Sequence, residues 1–195
     1  MTVALAVPLG ARAEPQAMPA RKPVIPQSST MPTGDFLPSP IGAVRFCVTF
    51  VDECQPMPAE TVVLTAERWT ELEAVNRKVN GAIAPRADGD DDIWTLGATA
   101  GDCDDYAVQK RHDLIASGWP AGAVGLAVGM PQRGTLHLVT VVSTDRGDYV
   151  LDNRRRRVVP WYGSGFRWVM RTFRDDVRVW QAVVGPRSVP PGAIG

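Results

Sequence analysis

The chain has 195 residues, 45% of them hydrophobic and 22% charged, which allows one sizeable buried core and is ordinary for a globular domain. Lys and Arg together number 21, as do Asp and Glu, so no net field steers the protein to nucleic acid or to an anionic membrane surface. Any partner has to be read from a site.

Residues 1–13, MTVALAVPLGARA, are a short apolar run ending in Ala-Arg-Ala, the small-x-small pattern of a signal-peptide cleavage site. The basic start of such a peptide is missing. The segment is therefore either the remnant of a longer signal peptide or a coincidental apolar tail; the first reading is preferred and implies a periplasmic or secreted protein. The run falls short of the roughly 20 apolar residues that cross a bilayer, and no other stretch reaches that length, so no integral membrane segment is expected. Residues 14–40 carry seven prolines among small and polar residues and read as a linker. The folded domain is expected over 41–184, with the Pro/Gly-rich residues 185–195 as a flexible tail.

Residues 43–51, AVRFCVTFV, are apolar and β-branched enough to predict a strand. It leads to Cys47 and Cys54, close enough in sequence for a small disulfide loop in an oxidising compartment. Cys103 is then the odd cysteine and a candidate free thiol; three buried thiols in a cytosolic protein is the alternative. Thr65 offers an N-cap to a helix whose buried stripe is Trp69, Leu72, Val75, Val79 and Ile83, with Asn80-Gly81 loosening its end. The acidic loop of residues 88–92 reads as a solvated turn, because its spacing does not match the twelve-residue EF-hand loop. A second helix starts at Cys103, capped by Asp102, and runs to about Ser117, with Gly118 ending it. Strands are predicted over 122–129, 136–143, 149–152, 165–173 and 177–184. Helices followed by a run of antiparallel strands make an α+β plan. The run Arg154–Arg157, without aromatic interleaving, reads as solvated surface and not as a nucleic-acid contact.

The chemistry centres on Cys103. A helix N-terminus stabilises a thiolate through its free N–H groups and dipole, while Asp102, Asp104 and Asp105 oppose it by raising the thiol pKa. An imidazole must outweigh them. His112 lies nine residues on along the same helix, which at about 100° and 1.5 Å per residue is the opposite face and about 13 Å away, so it reads as an exposed helical residue. His137, at the start of an alternating strand, is the remaining base. Asp152 and Asn153 end the following strand and are the candidates to accept the second imidazole N–H. A turn centred on Arg146-Gly147 would leave Asp152 opposite Val141, on the face of His137 but about 13 Å along the strand. A bulge or a turn nearer Thr144-Asp145 must close that gap.

With these residues the chain resembles the bacterial transglutaminase-like cysteine proteinases, a papain-like family, from about Phe46 to Trp180. The most specific parts are Gly101-Asp102-Cys103-Asp104-Asp105-Tyr106-Ala107, the His137 strand, and Leu151-Asp152-Asn153; Phe46-Cys47 with Cys54, Val75-Asn76-Arg77-Lys78-Val79-Asn80 and Arg171 support them. The resemblance implies a papain-like/transglutaminase-like fold, with N-terminal helices packed on an antiparallel β-sheet, and a catalytic triad of Cys103, His137 and Asp152. It also implies a periplasmic, calcium-dependent protease that clips a protein substrate such as a surface adhesin, with calcium held nearest Asp102 and Asp104; a regulatory protein is a candidate partner. Two departures bear on calcium: Asp104 stands where Glu is common, and Trp94-Thr95-Leu96-Gly97 replaces a Trp-x-x-Pro stretch. Transfer of the acyl group to an amine, or a non-catalytic binding module on the same scaffold, are the alternative functions.

Overall fold

The structure, a computed structural model, describes residues 22–87, 89 and 92–189. In chain order its elements are β1 (Thr33–Leu37), α1 (Ile41–Thr49), a 3-10 turn (Val51–Cys54), α2 (Ala66–Ala82), β2 (Ala84–Pro85), β3 (Ala100–Gly101) and α3 (Cys103–Ala116). Then follow β4 (Val124–Met130), β5 (His137–Thr144), β6 (Gly147–Leu151), β7 (Val159–Pro160), β8 (Arg167–Phe173) and β9 (Asp176–Val183). The architecture is α+β. One antiparallel sheet has the order β1-β9-β8-β4-β5-β6-β7, and β2 and β3 form a short parallel pair.

The sheet is covered on both faces, and the alternation of β5 shows how. Leu138 and Val142 pack beneath the helices, with Val108 of α3 and Leu72 of α2 in the same two clusters. Val139 and Val141 point the other way and join Met31, Trp161 and Trp168. Each such side chain contributes about 1.5–3 kcal/mol when fully buried, which is why the whole of β5 is apolar or internally bonded. The hydroxyl of Thr140 donates to the Ala107 carbonyl at 2.9 Å and ties α3 to the central strand. Arg111, buried on α3, donates to the carbonyls of Val124 and Glu53 and so fixes the helix to β4 and to the 3-10 turn. Cys47 and Cys54 are joined in a disulfide that ties α1 to that turn.

Three expectations are corrected. Residues 41–49 are helix and not strand: Gly42, Ala43 and Phe46 recur at helical spacing on the buried face, while the β-branched Val44 and Val48 point to solvent. The stretch read as a linker is packed from residue 22 onward in part and contributes β1, which pairs with β9 through Thr33↔Val183 and Leu37↔Trp180. Before it, the Met31 N–H donates to Asp148 Oδ2 at 2.6 Å and the Tyr149 hydroxyl to the Pro26 carbonyl at 2.8 Å. Prolines bar a segment from a central strand but not from an edge, and partners more than a hundred residues away leave no local signal. The domain thus begins before residue 41. It also runs past 184: Val189 is buried, its N–H donating to the Trp168 carbonyl at 2.7 Å. The helix expected after Thr65 is α2, which ends at Ala82 directly after Asn80-Gly81, with Ile83 as its C-cap. Residues 1–21, read as signal remnant and early linker, and residues 190–195 lie outside the described residues. Among the described residues no helix is long and apolar enough to cross a membrane.

Candidate active site

Cys103 opens α3, and its surroundings follow from the sequence around it. Asp102 is the N-cap, in extended conformation, and its carboxylate accepts from the Asp104 N–H at 3.5 Å. Asp105 reaches back: Oδ2 accepts from the Asp102 N–H at 3.2 Å and Oδ1 from the Thr95 N–H at 2.8 Å, a capping arrangement. Gly101 is needed for this, because a Cβ there would collide with the Asp105 carboxylate. Of the three acidic neighbours, Asp105 is therefore spent on backbone, while Asp102 and Asp104 remain beside the sulfur. Their oxygens and the Cys103 Sγ all lie within 4.8 Å of one another.

That crowding shows in the electrostatics. Burial pushes the free Cys103 thiol up to about 11, with the charges of Asp102 and Asp104 adding to it; the Leu138 backbone N–H and the Arg154 charge pull the other way. Burial, then its hydrogen bond to Asp102 and the charges of Asp102 and Asp105, raise Asp104 to about 9. The Asp104 Oδ1 atom is buried with no hydrogen-bond partner. A buried, unpartnered carboxylate oxygen next to a second carboxylate fits a hard divalent cation, so Asp102 and Asp104 are the residues that could hold one.

His137 and Asp152 come together from the β5–β6 hairpin. The pairs Thr144↔Gly147 and Thr140↔Leu151 put the turn at Asp145-Arg146, with Gly147 at φ +100°. Asp152 then falls opposite Val139, two residues from His137 and on its face, roughly 7 Å along the strand. The side chains bridge the remainder: His137 Nε2 and Asp152 Oδ1 are 2.9 Å apart and both residues are buried. Asp152, not Asn153, is the residue that meets the imidazole. The Phe166 ring packs edge-on to His137 at 5.5 Å, and His137 Nδ1 is buried with no hydrogen-bond partner. Burial raises the Asp152 carboxyl, but the hydrogen bonds from His137 and the Arg154 N–H, with the charges of His137 and Lys110, outweigh it and hold the group below the usual carboxylate range. Cys103, His137, Leu138, Asp102 and Asp104 line one cavity of about 390 Å³.

The other sequence candidates fall elsewhere. His112 lies away from this cavity, its Nδ1 2.5 Å from Glu53 Oε1. Asp92, from the acidic loop, is not simply solvated: it accepts from the Trp94 indole at 2.9 Å and from the Gly42 N–H at 3.0 Å, capping α1 from a distance. The arginine run does more than face solvent, since the Arg154 N–H donates to Asp152 Oδ1 at 2.9 Å and the Arg155 guanidinium to the Ser164 carbonyl at 2.7 Å. Two features were missed. Lys110 is fully buried two turns after Cys103, lowered to about 7 by burial against the opposing charge of Asp152. Asn76 and Asn80 reach the turn after Asp152. The signal for both was a polar residue on a face otherwise expected to be buried.

Against known proteins, the sequence matches the family model described as bacterial transglutaminase-like cysteine proteinase over residues 33–188. No curated protein is similar enough to the sequence to count as a match. Among solved structures the fold is similar to calcium-bound LapG of Legionella pneumophila, with a TM-score of 0.52 and 20% identity over 61% of this chain and 71% of that one. The EGTA-treated form of the same protein gives a TM-score of 0.51 and 21% identity, covering 58% of this chain and 66% of that one.

Proposed function

The chain belongs to the bacterial transglutaminase-like cysteine proteinase family and is a cysteine peptidase; on that footing we propose that it hydrolyses a peptide bond in a periplasmic or cell-surface protein through Cys103, His137 and Asp152. The observation that carries this reading is the state of His137. Its Nε2–H donates to Asp152 Oδ1, which leaves the lone pair on Nδ1, buried and without a hydrogen-bond partner, and His137 and Cys103 line the same cavity.

His137 Nδ1 takes the proton of the Cys103 thiol as the sulfur attacks the scissile carbonyl. The carbonyl oxygen gains the negative charge, met in part by the Cys103 backbone N–H, which at the first helical position has no intrahelical acceptor. The protonated imidazole gives its proton to the leaving amine, and the acyl group stays on sulfur as a thioester. Water, deprotonated by the same imidazole, then releases the acid and the free thiol. Asp152 stabilises the imidazolium throughout without itself taking the proton.

Calcium at Asp102 and Asp104 belongs to this proposal, supported by the orphaned Asp104 oxygen and by the calcium-bound state of the LapG relative. Such an ion would cancel the two carboxylate charges that raise the thiol. A periplasmic location is supported by the Cys47–Cys54 disulfide, which oxidising compartments favour. A surface adhesin as substrate, and a regulatory protein that sequesters the enzyme, rest on the family resemblance. The test compares envelope-protein termini by mass spectrometry in cells with the wild-type enzyme and with Cys103→Ala. At least one new terminus that depends on the thiol is expected; identical sets of termini would remove the protease reading.

A further inference from the structure

We propose that Asn76 and Asn80 of α2 are positioning residues for the Asp152 carboxylate, acting through the backbone of the turn at residues 152–155. The inference rests on the proposed triad, and it starts from where the sheet stops. The ladder between β5 and β6 ends at Thr140↔Leu151, so Asp152 is the first residue the sheet no longer holds. Its carboxylate is set instead by a local turn. The Arg154 N–H donates to Asp152 Oδ1 at 2.9 Å, and the Arg155 N–H donates to the Asp152 carbonyl at 3.2 Å.

That turn is anchored from α2. The Asn80 Nδ2 group donates to the Asp152 carbonyl at 3.1 Å and to the Arg155 carbonyl at 2.9 Å. The Asn76 Nδ2 group donates to the same Arg155 carbonyl at 2.9 Å. Four residues apart, the two amides lie one above the other on a single helix face, aimed at both ends of the turn. The exposed Arg155 side chain also supports this turn: its guanidinium donates to the Ser164 carbonyl at 2.7 Å and lies 3.7 Å from Asp152 Oδ2.

Stability alone gives a poor reason for these residues. Asn is a weak helix former, and Asn76 is fully buried between Val75 and the core residue Val79. Both Oδ1 atoms are buried without hydrogen-bond partners, so each amide gives its donors to the turn and leaves its acceptor unsatisfied. An apolar residue at either position would remove the unsatisfied oxygen but would also take a donor from the Arg155 carbonyl, so the amides are spent on the turn. What the amides supply is a fixed origin for a carboxylate whose displacement by about 1 Å can lower a rate by roughly 100-fold.

The test uses the full chain and two readouts that need no substrate: the rate at which iodoacetamide alkylates Cys103, and the proton resonance of His137 Nε2–H in ¹⁵N-histidine-labelled protein. Asn80→Asp keeps the shape and replaces the donor with an acceptor. Asn80→Leu removes the polar group and spares the fold its unsatisfied oxygen. Asn80→Gln keeps a donor. Expected for Asn80→Asp and Asn80→Leu is a fall of at least about tenfold in alkylation, with the His137 Nε2–H signal lost to solvent exchange while the protein stays folded; Asn80→Gln recovers part of both. Alkylation within twofold of wild type together with an unchanged His137 signal would overturn the proposal. Failure of all three variants to fold would overturn it as well, by assigning the amides to folding. If wild-type Cys103 alkylates no faster than Cys103 in His137→Ala, the triad reading fails instead, and the His137 resonance still reports whether Asn80 holds Asp152.

Discussion

The two halves of the site are built on opposite principles. On the sheet side, His137 and Asp152 are buried and bonded to each other, and the hydrogen bonds Asp152 receives outweigh its burial to keep its carboxyl ionised. On the helix side, the Cys103 thiol is pushed up to about 11 and Asp104 to about 9, with one Asp104 oxygen unpartnered. One half is arranged before anything binds; the other carries an electrostatic conflict that a cation would relieve. Under the proposed function, the imidazole and its carboxylate would set geometry, whereas the acidic pair beside the sulfur would set the condition under which the thiol becomes reactive.

The sharpest way to break the comparison is to remove its chemical partners. Cys103→Ala abolishes turnover of the substrate found by terminal mapping, and His137→Ala lowers kcat by roughly 1000-fold or more. Asp152→Asn, which keeps shape but loses the charge, lowers kcat by at least about 100-fold with little change in KM. Retention of kcat in either of the last two would show that the sheet side is not the prearranged half.

A smaller effect tests the helix side. Chelation of calcium lowers activity by about tenfold or more, because each unit added to the thiol pKa cuts the thiolate fraction about tenfold, and added calcium restores it. Indifference to chelator would remove Asp102 and Asp104 as ligands and leave their conflict with the sulfur without a function.

The smallest effect is on stability. The Asp152 carboxyl is held low in the folded state, so its contribution is fully present above the unfolded value near 4 and is lost as pH falls through the folded value. Asp152→Asn therefore destabilises the protein at pH 7, by about 1–3 kcal/mol, and the difference from wild type shrinks as the pH is lowered below about 4. Denaturant titrations at pH 7 and pH 3 measure it; an equal difference at both would mean that the charge is not what stabilises the pair.

How legible this was depended on the range of the interactions. The helix start at Asp102-Cys103 and the β5–β6 hairpin are local, and both were read from capping residues and alternation. The turn centre was read only to within one residue, which moves the partner of Asp152 by two positions, from Val141 to Val139. Non-local pairing was invisible: β1 takes its bonds from β9, about 150 residues on, and the flanking Pro32 and Pro38 masked it. The α1 segment misled because its β-branched residues lie on the solvent face and carry no packing information. Asn80 carried no functional signal beyond a loosened helix end, because its partners, the Asp152 and Arg155 carbonyls, come from a turn that sequence spacing cannot place against α2.

The most direct test of the central claim is the reactivity of one sulfur atom. With calcium present, iodoacetamide should alkylate Cys103 faster than an ordinary free thiol, and His137→Ala should slow that reaction by at least about tenfold. A rate equal to an ordinary thiol, unchanged when His137 is replaced, would contradict the assignment of Cys103 as the nucleophile.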